Sequence, residues 1–421
     1  MRTSLMGVAL AGILCCGWIS LRAQTQGGPR EPFKLGTLER QGQVFLGLVL
    51  RDAQVIDIAQ ANSALERRNP AWAKLAAPGD MKELIRRYET EWKDRLYAIV
   101  NDVAGAPSAP PYAYQVRDLK VLPPVRPALV LNAGGNYEEH MQGIQQQQQR
   151  GGSSAPAAAP RANSAPGIWE RKPGDERGNP YLFFKIPAAI IGVGEPIRVP
   201  TGRERIDHEC EFNIVIGKPA KRVPIERAAE YIFGYTIQND VSDRGGRGDS
   251  RFGSDWLVGK NHDTFAPLGP FIVPKEFLKD PLNVRQVLTL NGEVKQDSNT
   301  NRMTHNIYEL LHFASNIITL QVGDVISGGS PAGTNIERAQ PRWMRAGDTV
   351  VCTIEGVGTL TNPVVAESRY NKSLREEAFL LCDEQELRVL RSGFCLRWSG
   401  PEGGAWLSRN FWQRHPRERC G

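Results

Sequence analysis

Three acids recur at every second residue in Ile206-Asp207-His208-Glu209-Cys210-Glu211-Phe212-Asn213-Ile214-Val215-Ile216-Gly217. Alternate side chains of an extended strand share a face, so Asp207, Glu209 and Glu211 point the same way. The run continues into Ile214-Val215-Ile216, an interior type of sequence. Carboxylates crowded on a partly buried strand repel one another unless a cation lies among them. Oxygen-only ligation suits Mg2+, Mn2+ or Ca2+ better than zinc. The competing reading is a solvated strand end that carries ordinary surface acids.

A second acidic stretch favours the cation. Tyr235-Thr236-Ile237-Gln238-Asn239-Asp240-Val241-Ser242-Asp243-Arg244 begins as an apolar strand and ends polar. Asp240 can supply a third oxygen and leave positions for water and a bidentate ligand. Lys260 follows, enclosed by glycine, proline and aromatic residues. It is suited to a substrate carboxylate or enolate, or else it is a snorkelling surface lysine. Arg244, Arg247 and Arg251 make a cationic, glycine-lined loop, since arginine grips carboxylates bidentately. The alternative there is a solvated loop.

These side chains need a scaffold. The chain has 421 residues, 41% hydrophobic and 23% charged. That leaves room for a catalytic domain of roughly 200 to 250 residues and smaller parts. Residues 30–124 read as a small α+β unit, with strands at Val44–Leu50 and Gln54–Ile58. Asp80 caps a helix on which Met81, Leu84, Tyr88, Trp92, Leu96 and Ile99 recur at three- and four-residue steps. From residue 125 to 366 the chain is dense in short β-type runs: Ala128–Asn132, Tyr181–Phe184, Phe212–Ile216, Phe271–Val273, Val287–Leu290 and Val350–Ile354. A helix near Ile307–Asn316 interrupts them. The expectation is an α+β, β-rich chain whose main domain is a rolled, largely antiparallel sheet. Residues 145–167, a glutamine run and then a Gly/Ser/Ala/Pro stretch, read as a mobile insertion.

The ends and the cysteines carry other signals. Arg2 and the uncharged apolar run Leu5–Leu21 suit a secretory signal peptide over residues 1–23, with an uncleaved anchor (residues 4–21) as the rival. Export to a periplasmic or extracellular space is therefore expected, with no membrane partner unless that segment is retained. The net charge of +6 comes partly from arginines near the C-terminus, and no basic stripe with interleaved aromatics argues for nucleic acid. None of the seven cysteines forms a CxxC pair, which argues against a zinc or iron–sulfur site. Only Cys210 and Cys352 fall in the expected core, so the chain is not a disulfide scaffold. The tail from 367 to 421 lacks periodicity after Leu390; it reads as a readthrough or frameshifted end, or else as a partner-binding extension.

Several short motifs then align in order: Asn136-Tyr137-Glu138-Glu139-His140, Phe184-Lys185-Ile186-Pro187, His208-Glu209-Cys210-Glu211, Asn239-Asp240-Val241-Ser242, Asp263-Thr264-Phe265-Ala266-Pro267-Leu268-Gly269-Pro270, Gly323-Asp324-Val325-Ile326 and Ile354-Glu355-Gly356-Val357-Gly358. Over roughly residues 123–365 the chain resembles the fumarylacetoacetate hydrolase family. The resemblance implies a β-roll of the fumarylacetoacetase C-terminal type, a homodimer, and Mg2+ or Mn2+ held by Glu209, Glu211 and Asp240. It further implies that His140 is a general base, that Lys260 contacts substrate, and that the Gly328-Gly329-Ser330-Pro331 loop helps close the pocket. A metal-chelated 2-keto acid becomes an electron sink for the breaking C–C bond, while a histidine, titrating near neutrality, takes a proton from water.

The expected activity is hydrolysis of an acylpyruvate-like or 2,4-diketo acid. Isomerisation or decarboxylation of a related diacid on the same scaffold is the alternative, and a carboxylate-binding protein without turnover is a third reading. Three departures qualify the carry-over. Hydrolytic members often carry a glutamate three residues after the histidine, and here that residue is Gly143; Glu138 and Glu139 are the nearby acids to stand in. Arg244-Gly245 replaces an Arg-Asp pair, with Arg247 where glutamine is usual. Ser330 replaces a threonine and keeps the hydroxyl. Arg244, Arg247 and Ser330 are thus the expected substrate-binding positions.

Overall fold

The computed structural model describes residues 28–150, 164–246, 248 and 255–367. The expected signal segment, Arg247, Arg251, the tail beyond Glu367, most of the insertion and five of the seven cysteines lie outside the described residues.

The strand Cys210–Ile216 sits inside the large sheet because every one of its residues is buried and alternation serves two cores. Cys210, Phe212, Ile214 and Ile216 join one hydrophobic cluster, with Leu288, Val350 and Ile354 across from them. Val215 faces the other cluster, with Phe233, Val325 and Trp92. Burial of each such large apolar side chain stabilises by roughly 1.5–3 kcal/mol. Both faces being covered explains why this strand reads as a near-continuous apolar run after Glu211.

Its neighbours bring the chemistry together. Ile232–Asn239 runs antiparallel to it, with Cys210 opposite Asn239 and Glu211 opposite Gln238. On the other side lies Val325–Ser327, which pairs in parallel with Val130–Ala133. Leu182–Lys185 closes that edge. Beyond Ile232–Asn239 come Ala266–Pro274 and then Lys34–Arg40. The N-terminal α+β segment thus continues the same sheet through Leu35 opposite Ile272. A five-stranded sheet, built from Arg285–Leu290, Glu293–Asn299, Thr349–Ile354, Gly358–Ala366 and Ile197–Val199, lies over the first core. The fold is mixed α+β and rich in sheet, as the sequence leads one to expect.

Local sequence explains the main helices. Asn306 and Glu309 form a reciprocal capping box at the start of Ile307–Ile317, which buries Ile307, Leu310, Leu311 and Ala314. In the N-terminal segment Met81, Leu84, Tyr88, Trp92, Leu96 and Ile99 are all buried, on Met81–Arg87 and Lys93–Gly105. A π-helical stretch, Tyr88–Trp92, joins the two. Steps of four residues overshoot an α-helical turn, and one wider turn keeps the stripe on one face.

The first part of the expected insertion is helical. Residues 145–150 continue the helix Glu138–Arg150, because glutamine is a good helix former that loses little rotamer freedom there. At the other end Ala165 bridges to Trp169, which is buried.

Candidate metal centre and active site

Glu209, Glu211 and Asp240 converge: each is buried, and one oxygen from each lies within 4.8 Å of the others. Glu211 is the second residue of Cys210–Ile216 and Glu209 immediately precedes that strand. The third follows the end of the paired strand, where Asp240 N–H donates to Glu209 C=O at 2.8 Å. Asn239 steadies the same corner, its Oδ1 accepting Glu209 N–H at 2.9 Å. Asp207, in step with them, takes no part. Its oxygens accept from Asn335 N–H at 2.9 Å, Asn335 Nδ2 at 3.0 Å and Ile336 N–H at 3.2 Å.

Cations grip the outer oxygens of the cluster. Lys260 Nζ reaches Glu209 Oε2 and Asp240 Oδ2, each at 2.6 Å, and Ser242 Oγ at 2.8 Å. Lys185 pairs with Asp240 Oδ1 and donates to Val241 C=O at 2.9 Å. Arg244 pairs with Glu209 Oε1 and reaches Asp207 Oδ2 at 3.3 Å. Asn132 Nδ2 at 2.8 Å and the Ser327 hydroxyl both donate to Glu211 Oε2. Such outer partners fix carboxylate rotamers for a metal.

Electrostatics divide the three acids. Burial would raise the Glu209 carboxyl, but Arg244, Lys260 and His140 outweigh it and hold its pKa well below the ordinary value. Burial, then Asp240 and Glu209, push Glu211 well above it. Burial likewise lowers the Lys185 ammonium to about 8 despite Asp240. The two lysines and the arginine pair with Glu209 and Asp240, whereas Glu211 takes its hydrogen bonds from the neutral Asn132 and Ser327. A buried set of hard oxygen donors in that condition fits a divalent cation.

His140 lies in the first turn of its helix and is buried. Its Nε2 lies 3.9 Å from Glu209 Oε1. Its Nδ1 meets Glu337 Oε1 at 2.5 Å. The acid missing at Gly143 is thus present, from a residue 197 positions away. Glu138 and Glu139 do not fill that role. Glu138 accepts from Gln142 Nε2 at 2.9 Å and Glu139 pairs with Arg302, both on the exposed side of the helix. The sequence does hold a signal for Glu337: Thr334-Asn335-Ile336-Glu337 is a capping box that directly follows the expected pocket loop.

A cavity of about 530 Å3 joins these groups. His140, Glu209, Glu211, Arg244, Lys260 and Ser330 line it, with Phe183, Tyr181 and Trp256 as its aromatic wall. Ser330 is held by Gln296 Nε2 at 2.9 Å. Gly329 has φ of +86°, and a Cβ there would stand 2.6 Å from Ala133 C=O, so the loop can press on the strand only as glycine. Of the expected residues, His140, Lys260, Arg244, Ser330, Glu209 and Glu211 line one cavity and Asp240 is buried beside Glu209 and Glu211, while Arg247 lies outside the described residues. A second cavity of about 590 Å3 lies beside Val44–Leu46 and Ala77–Lys82. Its acids Asp57 and Asp80 are engaged as helix caps.

Cys210 and Cys352 form a disulfide. Cys210 points away from Glu211, as alternation requires, and ties the strand Cys210–Ile216 to Thr349–Ile354 of the smaller sheet. The sequence reading placed both in the core and did not pair them.

Comparison with known proteins agrees with this geometry. The family model for the fumarylacetoacetate (FAA) hydrolase C-terminal domain matches residues 130–365. The chain belongs to that family. It is 40% identical over 186 residues to the mitochondrial oxaloacetate tautomerase fahd2 of Xenopus laevis, covering 44% of this chain and 58% of that protein. The chain thus spans somewhat more than half the length of that relative. Among solved structures, 5-carboxymethyl-2-hydroxymuconate delta-isomerase from Mycobacterium smegmatis is 30% identical, with a TM-score of 0.53 over 80% of this chain and all of that one. Maleylpyruvate hydrolase from Sphingobium sp. SYK-6, solved with manganese(II) and pyruvate, is 25% identical, with a TM-score of 0.56 over 80% of this chain and all of that one. Family membership therefore makes this chain a relative of hydrolases, isomerases and tautomerases, and a bound divalent metal has a precedent among them.

Proposed function

We propose that this protein is a divalent-metal-dependent hydrolase that cleaves a C–C bond of an acylpyruvate-like or 2,4-diketo acid. The observation that carries the reading is the contact of His140 Nδ1 with Glu337 at 2.5 Å beside the carboxylate trio. Glu209, Glu211 and Asp240 would hold Mg2+ or Mn2+ (Ca2+ fits the same donors). Such an ion supplies Lewis-acid stabilisation of the charge that develops on a bound 2-keto acid.

The side chains divide the remaining work. Glu337 accepts from Nδ1, leaving Nε2 free to take a proton from water poised in the cavity. The hydroxide oxygen adds to the distal carbonyl, the C–C bond breaks with its electron pair on the pyruvate fragment, and the proton held on His140 Nε2 passes to that carbon, giving the acid and pyruvate. Lys260 and Arg244 place positive charge along the cavity wall, where a substrate carboxylate is favoured. The Ser330 hydroxyl offers a hydrogen bond at the closing loop. The expected role of Arg247 in gripping a carboxylate stands as part of the same proposal.

A second reading is tautomerisation or isomerisation of an oxaloacetate-like diacid, favoured by the similarity to the Xenopus tautomerase. There His140 would exchange a carbon-bound proton and no C–C bond would break. Purified protein with Mg2+ or Mn2+ should be offered acetylpyruvate, oxaloacetate and a hydroxymuconate-type diacid, with products identified by NMR. Pyruvate and acetate from acetylpyruvate support hydrolysis; keto–enol interconversion alone moves the reading to the tautomerase. Metal binding with no turnover of any of the three points to a carboxylate-binding protein instead.

Export and a homodimer belong to the proposal as well. The Cys210–Cys352 disulfide supports export, since such bonds persist in oxidising compartments. Fractionation of expressing cells and light scattering of the purified protein test the two points.

A further inference from the structure

We propose that a cleft sharing Arg244 with the active-site cavity is a second anion site, which holds a small oxyanion, a carboxylate or a phosphate, apart from the substrate. The inference is independent of the reaction performed at the metal centre.

The cleft, of about 310 Å3, is lined by Arg205, Arg244 and Arg338, together with Gln147, Asn335 and Trp343. No carboxylate lines it among the described residues. The active-site cavity, by contrast, has Glu209 and Glu211 in its wall. Helix Glu138–Arg150 contributes to both, since His140, Ile144 and Gln148 line the cavity and Gln147 lines the cleft. Arg244 is the one described residue common to the two. It is held there as a partition, paired with Glu209 and reaching Asp207 Oδ2 at 3.3 Å.

The other two arginines have no such acids. Arg338 Nη2 donates to the carbonyls of Lys295 and Gly333, each at 3.2 Å, and its Nε is buried and makes no hydrogen bond. Arg205 gives its backbone carbonyl to Arg244 N–H at 2.8 Å. Its exposed guanidinium makes no hydrogen bond or ion pair among the described residues. The fold does supply acids to arginines close by in sequence: Arg203 pairs with Asp243, and Arg342 pairs with Asp348 at 2.7 Å. Two guanidinium groups without an acid therefore face one cleft, beside a third that is already neutralised.

Positive charges gathered around one cleft repel one another until an anion sits among them. A guanidinium presents its N–H groups in a planar fork that matches the oxygens of a carboxylate or phosphate, and such charge-assisted bonds are the strong ones. Arg338 keeps an unused Nε–H for this purpose and Arg205 its whole fork. The keto-acid end of a substrate belongs to the other cavity, where Lys260 and the carboxylate trio lie.

The test titrates the Mg2+-loaded full chain calorimetrically with inorganic phosphate, and separately with succinate, at constant ionic strength so that general screening cannot mimic a site. Saturable binding of one phosphate per chain is expected. Arg205→Gln and Arg338→Gln should each weaken it by about tenfold, and the double variant should abolish it, with Mg2+ affinity within about threefold of native throughout. Succinate should follow the same order. No saturable phosphate binding in the millimolar range, or an affinity unchanged in Arg205→Gln and in the double variant, overturns the site. Arg205 is exposed and its side chain holds nothing in place, so if Arg338→Gln folds poorly, Arg205→Gln decides. The rival source of the anion is the second carboxylate of a diacid substrate, and 2-oxoglutarate, a stable keto diacid, separates the two. Its Mg2+-dependent binding should stay within about threefold of native in the double variant. A loss parallel to that of phosphate would give the arginines to the substrate and overturn a separate site. None of these readings uses turnover, so failure of the proposed hydrolysis and failure of the anion site are distinguishable.

Discussion

Asp207 and Glu211 flank Glu209 at equal distance in one acidic run, and both are buried, yet they have opposite surroundings. Asp207 faces fixed donors: three backbone N–H groups, the Asn335 amide and Arg244. Glu211 faces two neutral donors and two other carboxylates. Identical residue spacing thus yields one acid whose charge is already satisfied by the fold and one whose charge calls for a cation. The first is architecture and the second is site. What a carboxylate faces decides its role, more than the strand that carries it.

The largest expected effect falls on the site side of this contrast. Glu209→Ala removes a proposed ligand and an acceptor for Arg244 and Lys260. Loss of several kcal/mol of transition-state stabilisation should lower kcat/KM by about 10³-fold. Calorimetric titration with Mn2+ should show binding weakened in parallel. Full activity with unchanged metal affinity would sink the assignment of the trio.

On the architectural side, Asp207→Ala leaves Arg244 and the Asn335–Ile336 turn without their acceptor in a buried place. Breaking one partner of such a pair costs about 3–5 kcal/mol. Chemical denaturation of metal-loaded protein should show that loss. If Asp207→Ala instead kept native stability and abolished metal binding, the two acids would not differ as described.

The opposite face of the same strand gives a smaller effect. Cys210–Cys352 closes a separation of 142 residues, and removing such a bond typically costs about 2–4 kcal/mol. Reduction, or Cys352→Ser, should lower the melting temperature of the metal-loaded protein while leaving metal affinity within about threefold, since Cys210 points away from Glu211. A loss of metal affinity tenfold or greater would mean that the two faces are not independent.

Alternation made Glu209 and Glu211 legible in the sequence, and the polar end of an apolar strand did the same for Asp240. The same rule placed Asp207 beside them, because period two reports a face and says nothing of what lies opposite. Strand positions such as Val287–Leu290 and Val350–Ile354 were legible to within a few residues, since turn signals such as Asn291-Gly292 bound them. Both residues there have positive φ, as a tight hairpin needs. The glutamine run hid a helix continuation, because low hydrophobicity argues against burial and not against helix. Glu337 and the Cys210–Cys352 pair were illegible for a different reason. Each joins segments more than a hundred residues apart: strand order sets Val325–Ser327 beside Cys210–Ile216, and packing of the five-stranded sheet over the first core sets Thr349–Ile354 against it.

The finest test of the contrast is the pH dependence of stability in metal-stripped protein. Burial, then Asp240 and Glu209, raise Glu211 well above its ordinary value, so the folded chain holds that proton more tightly than the unfolded one. Its contribution to stability is complete below about pH 4.3 and is lost as the pH rises through the folded value. Glu209 moves the other way: burial is outweighed by Arg244, Lys260 and His140, and its contribution, lost only as the pH falls, is constant above that range. The Glu211 contribution to the unfolding free energy should therefore decline from about pH 5 upward by as much as about 1.4 kcal/mol per unit at its steepest, against the opposite slope of the buried His208 and His305, whose pKa burial lowers. Glu211→Gln keeps a neutral side chain at the same place and should flatten that decline. Mn2+ should flatten it too, because the ion takes the place of the proton, and binding should release that proton to the buffer. A decline that persists unchanged in Glu211→Gln would assign the titration to another group and leave Glu211 no different from Asp207.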